Sequence, residues 1–167
     1  MTTFDVRCED GGGNTNQTDG AFVVRKDTLA PSVSVNTATY GWYTSDPGAV
    51  IDVDFTNLST GSPLQNASWN MGYPHLAWYD VFSSPVSDYT TNWALTWDMM
   101  REGATTVRIN LFDAAGNMDG SDDQITFLKD TYAPYVQVNV SSYGWYSSDP
   151  GAVVDVDFDN GGNGSLL

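Results

Sequence analysis

The chain has few of the residues from which catalytic and metal sites are usually built. It contains one cysteine, Cys8, and one histidine, His75, in 167 residues. A single cysteine excludes an internal disulfide and a cysteine-based zinc cluster, and a single histidine excludes a metal site with two or three histidines. His75 lies in an aromatic stretch without an adjacent acid, so we interpret it as a partly buried packing residue. The sequence therefore offers few candidate catalytic residues.

Positive charge is also scarce, with 6 Lys and Arg against 21 Asp and Glu and a net charge of -15. A nucleic-acid site needs clustered cations that release counterions from phosphates, so we predict no nucleic-acid partner, and anionic membranes are disfavoured for the same reason. No apolar run approaches the roughly 20 residues of a membrane span, and no signal-like apolar stretch follows Met1. We expect no membrane insertion by this segment. An export signal and an anchor lie elsewhere in a longer chain, or there are none.

The main positive feature is an internal repeat with an offset of 103 residues. The sequence Lys-Asp-Thr-Leu-Ala-Pro at 26–31 returns at 129–134 with one change, and residues 40–50 return at 143–153 with one change. An ungapped alignment of the first 64 residues with the last 64 gives 32 identities. Repetition at a fixed period is the sequence signature of tandem modules.

The alignment also predicts the domain organisation. Residues 1–25 match the end of a repeat, 26–128 form one complete repeat, and 129–167 match the beginning of the next. We therefore expect the C-terminal part of a truncated repeat, a whole module of 103 residues, and the N-terminal part of a third.

The hydrophobic pattern predicts strands. Residues 50–55 and 106–111 alternate apolar and polar side chains, which is typical of a half-buried strand. Turn residues interrupt the pattern about every ten positions, and about seven short strands in about 100 residues is typical of an immunoglobulin-like sandwich. One short helical turn is expected within 97–103. We predict an all-β fold, an immunoglobulin-like antiparallel β-sandwich repeated with a 103-residue period. Its predicted core residues are Val33, Val35, Ile51, Val53, Phe55, Val107, Ile109, Leu111, Ile125 and Phe127.

Two short motifs carry a resemblance to a known family. Asp-Ala-Ala-Gly-Asn at 113–117 is followed by a predicted strand and by Lys-Asp-Thr-Tyr-Ala-Pro at 129–134. This order resembles the Asp-x-Ala-Gly-Asn … Asp-Thr-x-Ala-Pro signature of tandem Ig-like repeats in large bacterial and archaeal cell-surface proteins and adhesins. The resemblance covers the whole chain. The first copy, at 10–14, replaces the alanines with glycines, which predicts a looser loop.

The resemblance implies a function as well as a fold. It implies a non-enzymatic, extracellular stalk or adhesive array on the cell surface. The partners it implies are neighbouring repeats of the same chain, with cell-surface glycans or proteins as candidate ligands.

Calcium at the repeat junction is the most specific site hypothesis. In a seven-strand sandwich the loop before the last strand lies at the same pole as the incoming linker, which places Asp113 and Asn117 near Asp27. Carboxylate and amide oxygens are the hard ligands that calcium selects. The resemblance implies a calcium site at these three residues, and their equivalents in the truncated repeats are Asp10, Asn14 and Asp130. The alternative is that Asp113 and Asn117 cap a turn through side-chain-to-backbone hydrogen bonds.

The aromatic content raises a rival function, a carbohydrate-binding or accessory module of a secreted glycan-active enzyme. Candidate sugar-stacking residues are Trp42, Tyr43, Trp69, Trp78, Trp93 and Trp97. Trp42 recurs as Trp145, which favours a structural plug at a sandwich end, and core packing is the alternative for the others. Catalysis by the chain itself is not expected, because its two glutamates, Glu9 and Glu102, fall in different repeats and not as a pair in a cleft.

Five Asn-x-Ser/Thr sequons make the chain a candidate glycoprotein. They begin at Asn16, Asn57, Asn66, Asn139 and Asn163. The composition predicts roughly two sequons by chance, and an excess of this size also arises by chance.

Overall fold

The computed structural model describes residues 1–58, 61–72, 75–120, 123–161 and 165. In this part the chain forms twelve β-strands and one three-residue 3₁₀ turn, Trp97–Met99. The strands are β1 (Thr2–Glu9), β2 (Thr15–Val24), β3 (Ser32–Val35), β4 (Thr39–Tyr43), β5 (Val53–Thr56), β6 (Leu64–Asn70), β7 (Tyr79–Phe82), β8 (Asp88–Tyr89), β9 (Gly103–Asp113), β10 (Gln124–Lys129), β11 (Tyr135–Val138) and β12 (Val156–Asp159). No helix among the described residues has the length and apolar character needed to cross a bilayer.

The central repeat, residues 26–128, together with Lys129 folds as two packed sheets. One sheet has five strands in the order β4-β10-β9-β6-β7, and the other has three in the order β3-β5-β8. All pairings are antiparallel except that of β4 with β10. The prediction of an all-β sandwich is confirmed, and the strand orders are those of an immunoglobulin-like topology.

The core lies between these two sheets and is built from the predicted alternation. In β9 the side chains of Val107, Ile109 and Leu111 are buried while their neighbours are less so. In β5 the same holds for Val53 and Phe55. The core also contains Tyr40, Ile51, Leu64, Ala67, Trp69, Met71, Trp93, Leu95, Met100, Ile125 and Phe127. The predicted core residues Val33 and Val35 are partly buried and pack against this cluster.

The structure departs from the predicted pattern at two places. The described part of the central unit has eight strands instead of about seven, because the chain after β3 crosses to the other sheet and forms β4. The strand expected from residue 50 begins later, at Val53, because Ile51 is held by an isolated bridge to Trp93. The helical turn expected within 97–103 is confirmed at Trp97–Met99, and it ends before Gly103, which pairs with Lys129 in the sheet.

The two end segments form separate two-stranded sheets, β1-β2 and β11-β12. Their local hydrogen bonds repeat those of the central unit. The Asp52 amide donates to the Tyr40 hydroxyl at 2.6 Å, and the Asp155 amide donates to the Tyr143 hydroxyl at the same distance. Side-chain burial does not repeat, and the exposed hydrophobic residues at both ends include the positions equivalent to buried core residues. Local structure therefore follows the sequence, whereas burial requires an opposing sheet.

One matched pair of substitutions tests this difference. Phe55 is 0% exposed and its equivalent, Phe158, is 68% exposed. Phe55→Ala should lower the free energy of unfolding by about 3–5 kcal/mol, because it leaves a cavity in the core. Phe158→Ala should change it by less than about 0.5 kcal/mol. Urea unfolding followed by tryptophan fluorescence measures both, and equal losses would show that the end segment is packed like the centre.

Candidate functional site at the entry pole

The predicted site residues meet at one end of the central sandwich, here called the entry pole and defined by Asp27, Ser62, Asp113 and Asn117. Asp113 ends β9 and Asn117 closes the turn that follows it. Asp27 lies in the segment before β3, and Ser62 lies between β5 and β6. Three connections that are far apart in sequence are thus brought together by the sandwich topology.

The turn after β9 is capped by its own side chains. Asp113 is buried, and its Oδ1 accepts hydrogen bonds from the amides of Ala115 at 2.9 Å and Asn117 at 2.8 Å. Its Oδ2 accepts a bond from Asn117 Nδ2 at 2.8 Å. Gly116 has a φ of 87°, in the left-handed region that favours glycine. The turn-capping alternative therefore describes the observed hydrogen bonds.

Asp27, near the start of the central repeat, is held by the connection between β5 and β6 of the same repeat. Its Oδ2 accepts bonds from the Ser62 amide at 2.8 Å and from Ser62 Oγ at 2.9 Å. A Cβ at position 61 would overlap the Asp27 carboxylate, so Gly61 leaves the space that this contact needs. The sequence interpretation did not single out Ser62. Its signal was present, because Gly61 and Ser62 recur at the 103-residue offset as Gly-Ser.

Asn117 joins the two carboxylate-bearing residues. Its Nδ2 donates to the Asp27 carbonyl oxygen at 3.4 Å as well as to Asp113 Oδ2. The structure thus brings Asp27, Asp113 and Asn117 together, as predicted. The Asp27 carbonyl oxygen and Asp113 Oδ2 both lie within hydrogen-bond distance of the Asn117 amide nitrogen, and both are oxygens of the kind that calcium binds. Within the described ranges, however, no group of three or more His, Cys, Asp or Glu is placed to hold a metal ion. The oxygen chemistry fits calcium, and calcium binding stays a prediction.

The electrostatics of Asp113 follow from the same bonds. Burial alone would raise its pKa, but the hydrogen bonds from Asn117, Ser62 and Ala115 outweigh burial and hold the pKa below its ordinary value of 3.8. The carboxylate is therefore ionised at neutral pH.

The equivalent residues in the end segments repeat this chemistry. Asp10 accepts bonds from the amides of Gly12 and Asn14, both at 2.9 Å, and from Asn14 Nδ2 at 2.8 Å. Backbone amides and Asn14 supply these bonds without the alanines, and the looser first loop stays a prediction. Asp130 Oδ2 accepts bonds from the Ser165 amide at 2.7 Å and Ser165 Oγ at 2.8 Å, as Asp27 does from Ser62.

The tryptophans do not form a row on one face. Trp69 and Trp93 are buried in the core, and Trp97 packs against it. Trp42 lies on β4 and Trp78 directly precedes β7, and these strands are the opposite edges of the five-stranded sheet. Of the six candidate sugar-stacking residues, only Trp42 and Trp78 are therefore exposed.

The interpretation of Trp42 as a plug is wrong. Its side chain is 42% exposed, whereas Tyr40 and Tyr43 on the same strand pack inward. Tyr43 stacks on Phe127 with ring centroids 5.0 Å apart. The repeated motif thus supplies its core contact through the tyrosines.

The sequons differ in their surroundings. Asn16 is exposed on β2. The amide nitrogens of Asn57, Asn66 and Asn139 donate hydrogen bonds to neighbouring oxygens. Asn163 lies outside the described residues. Glycosylation stays a prediction at all five sequons; among the sequons described in full, Asn16 and Asn139 are exposed.

A matched pair of substitutions tests the cap. Asp113→Ala should lower the free energy of unfolding by about 1.5–3 kcal/mol, since it removes charge-assisted hydrogen bonds at a buried position. Asp10→Ala removes the equivalent turn bonds at an exposed position, where water replaces them, so a smaller change is expected. Urea unfolding of both variants gives the comparison, and an equal effect would contradict a special role for the entry pole.

The depressed pKa predicts a pH dependence. Because the folded-state pKa of Asp113 lies below 3.8, its ionised form stabilises the fold above that value, and this contribution is lost as the pH falls through the folded-state pKa. The wild-type chain should therefore lose free energy of unfolding more steeply than Asp113→Asn between about pH 5 and pH 2. Denaturant unfolding at each pH measures the difference in free energy of unfolding between the two proteins. A constant difference between the two proteins would refute the assignment.

Comparison with known proteins adds no identification. No family model matches the chain, and no curated protein matches it significantly.

Proposed function

We propose that this chain is a segment of a non-enzymatic, tandem Ig-like cell-surface protein that acts as a stalk, spacer or adhesive array. One observation carries the proposal. The aspartate near the start of a repeat bonds in the same way to a serine of its own repeat at both places, as Asp27 with Ser62 and as Asp130 with Ser165. A contact that recurs at the period of the sequence is what a serial array of modules requires.

The mechanism is mechanical. Each sandwich is a module with its own buried interior, and the aspartate near its start, Asp27 or Asp130, fixes the start of the chain to the rest of the module. The net charge of -15 makes neighbouring modules repel one another, which favours solubility and an extended array. Projection of a distal element away from a surface is the function that such an array supports.

Calcium is the second element of the proposal. The oxygens available to it at the entry pole are the Asp27 carbonyl and the carboxylate of Asp113, with the amide oxygen of Asn117 available after rotation of that side chain. A bound cation would neutralise part of the local negative charge and stiffen the junction. The chain's own residues hold the same pole together by hydrogen bonds, so the fold does not depend on this element.

Scattering tests the mechanical function. Chains that carry one, two and three consecutive copies of the 103-residue period should show a maximum dimension that rises by a constant step per copy. The control joins the same repeats through a ten-residue Gly/Ser linker, and its dimension should rise more slowly because a flexible linker bends. Identical curves for the natural and flexible linkers would overturn the proposal.

Calorimetry tests the calcium element. Calcium titrated into the wild-type chain should give saturable heat, and Asp113→Asn should reduce it because the variant removes the charge but keeps an oxygen that can cap the turn. The matched control is Asp46→Asn, in an exposed turn away from the entry pole, where Asp46 caps the Gly48 amide at 2.8 Å. Absence of saturable heat in the wild-type chain would remove calcium from the proposed function.

A further inference from the structure

A second polar cluster lies at the opposite end of the central sandwich, where the chain leaves it. Lys129 ends β10 and pairs with Gly103 at the start of β9. The residue is only 9% exposed, and a lysine is rarely buried without partners. None of the functions considered above uses this buried cation.

The Lys129 ammonium group is enclosed by one short segment, residues 97–102. Nζ donates to the Met100 carbonyl oxygen at 3.1 Å and to the Trp97 carbonyl oxygen at 3.4 Å. It lies 4.5 Å from the centre of the Trp97 ring and 3.7 Å from Glu102 Oε1. Backbone carbonyls, an aromatic face and a carboxylate together compensate the cost of burying the charge.

The next two residues are bound to the same end of the sandwich. The Thr131 amide donates to Glu102 Oε2 at 2.9 Å, and Thr131 Oγ1 donates to Glu102 Oε1 at 2.7 Å. The Asp130 amide donates to the Tyr43 carbonyl oxygen at 2.9 Å. Residues 129–131, here called the linker, are thus all attached to the repeat that precedes them.

The Asp130 side chain bonds in the other direction along the chain. While its backbone amide is held by Tyr43, its carboxylate accepts both hydrogen bonds from Ser165, which belongs to the following repeat unit. The linker therefore has two sides, one bound to the preceding repeat and one to the following repeat.

We propose that Lys129-Asp130-Thr131 is a clasp between consecutive repeats, in which lysine and threonine engage the preceding repeat and aspartate engages the following one. This inference rests on the proposed function, since it assigns the partner of each linker: residues equivalent to 97–102 of the preceding repeat. The clasp is assembled from the chain's own hydrogen bonds and charges and fixes the joint without a metal ion.

The other copy of the linker supplies an internal comparison. Lys26 and Thr28 occupy the same positions at the 103-residue offset, and both are exposed. Equivalent lysines thus differ in burial, so the contacts of Lys129 with residues 97–102, and not the linker sequence alone, account for burial of its cation.

Amide hydrogen exchange of the full chain tests the clasp. Lys129→Met keeps the apolar stem of the side chain and removes its charge and donors. We expect exchange at the amides of positions 130 and 131 to become about ten- to a hundredfold faster, the factor for losing hydrogen bonds to a charged group. Lys26→Met, the matched control, should leave these two amides unchanged. Unchanged exchange in Lys129→Met would overturn the clasp.

Faster exchange at the buried Ile51 and Ile109 amides would show that Lys129→Met disturbs the whole sandwich, and a second pair of variants then provides the test. Thr131→Val removes the hydroxyl that donates a hydrogen bond to Glu102, and Thr28→Val is the matched control at an exposed position. Faster exchange at positions 130 and 131 in Thr131→Val, but not in Thr28→Val, supports the clasp; no difference between them refutes it. Local exchange reports on the clasp alone, whereas the scattering series reports on the array, so the failure of one is distinguishable from the failure of the other.

Discussion

The structure depends on the packing of a five-stranded sheet against a three-stranded sheet. The alternating side chains of β5 and β9 reach zero or nearly zero exposure because another sheet covers them. The segments β1-β2 and β11-β12 repeat local hydrogen bonds of the central unit, yet most of their apolar side chains remain exposed. Burial of apolar surface, and not local hydrogen bonding, therefore separates the complete module from its partial copies.

Much of the fold was predictable from the sequence because it follows from periodicity. Alternation identified the inward faces of β5 and β9, and the same pattern located Ile125 and Phe127 in the core. The crossing of the chain from β3 to β4 was not predictable in this way. It depends on the parallel pairing of β4 with β10, a contact between residues more than 80 positions apart. Alternation reports which side chains face inward but not which sheet a strand joins.

The candidate site was predictable in position and less so in detail. Topology placed Asp113 and Asn117 beside Asp27, and the structure brings them together. Ser62 was missed because a serine between two strands gives no chemical signal until its partner is known. Lys129 was missed for a related reason. A lysine at the end of a strand is usually exposed, and its burial depends on the carbonyl groups of a segment about 30 residues earlier.

The position of β9 and β10 at the end of each module has a consequence for biosynthesis. A ribosome releases β3, β4 and β5 first, so a nascent module presents uncovered faces like those of β11 and β12 until its last two strands emerge. In the proposed array, neighbouring modules would be similar in sequence and could offer one another equivalent strands. Early attachment of each linker to the finished module before it would hold the growing module apart from its predecessor and so limit strand exchange between them.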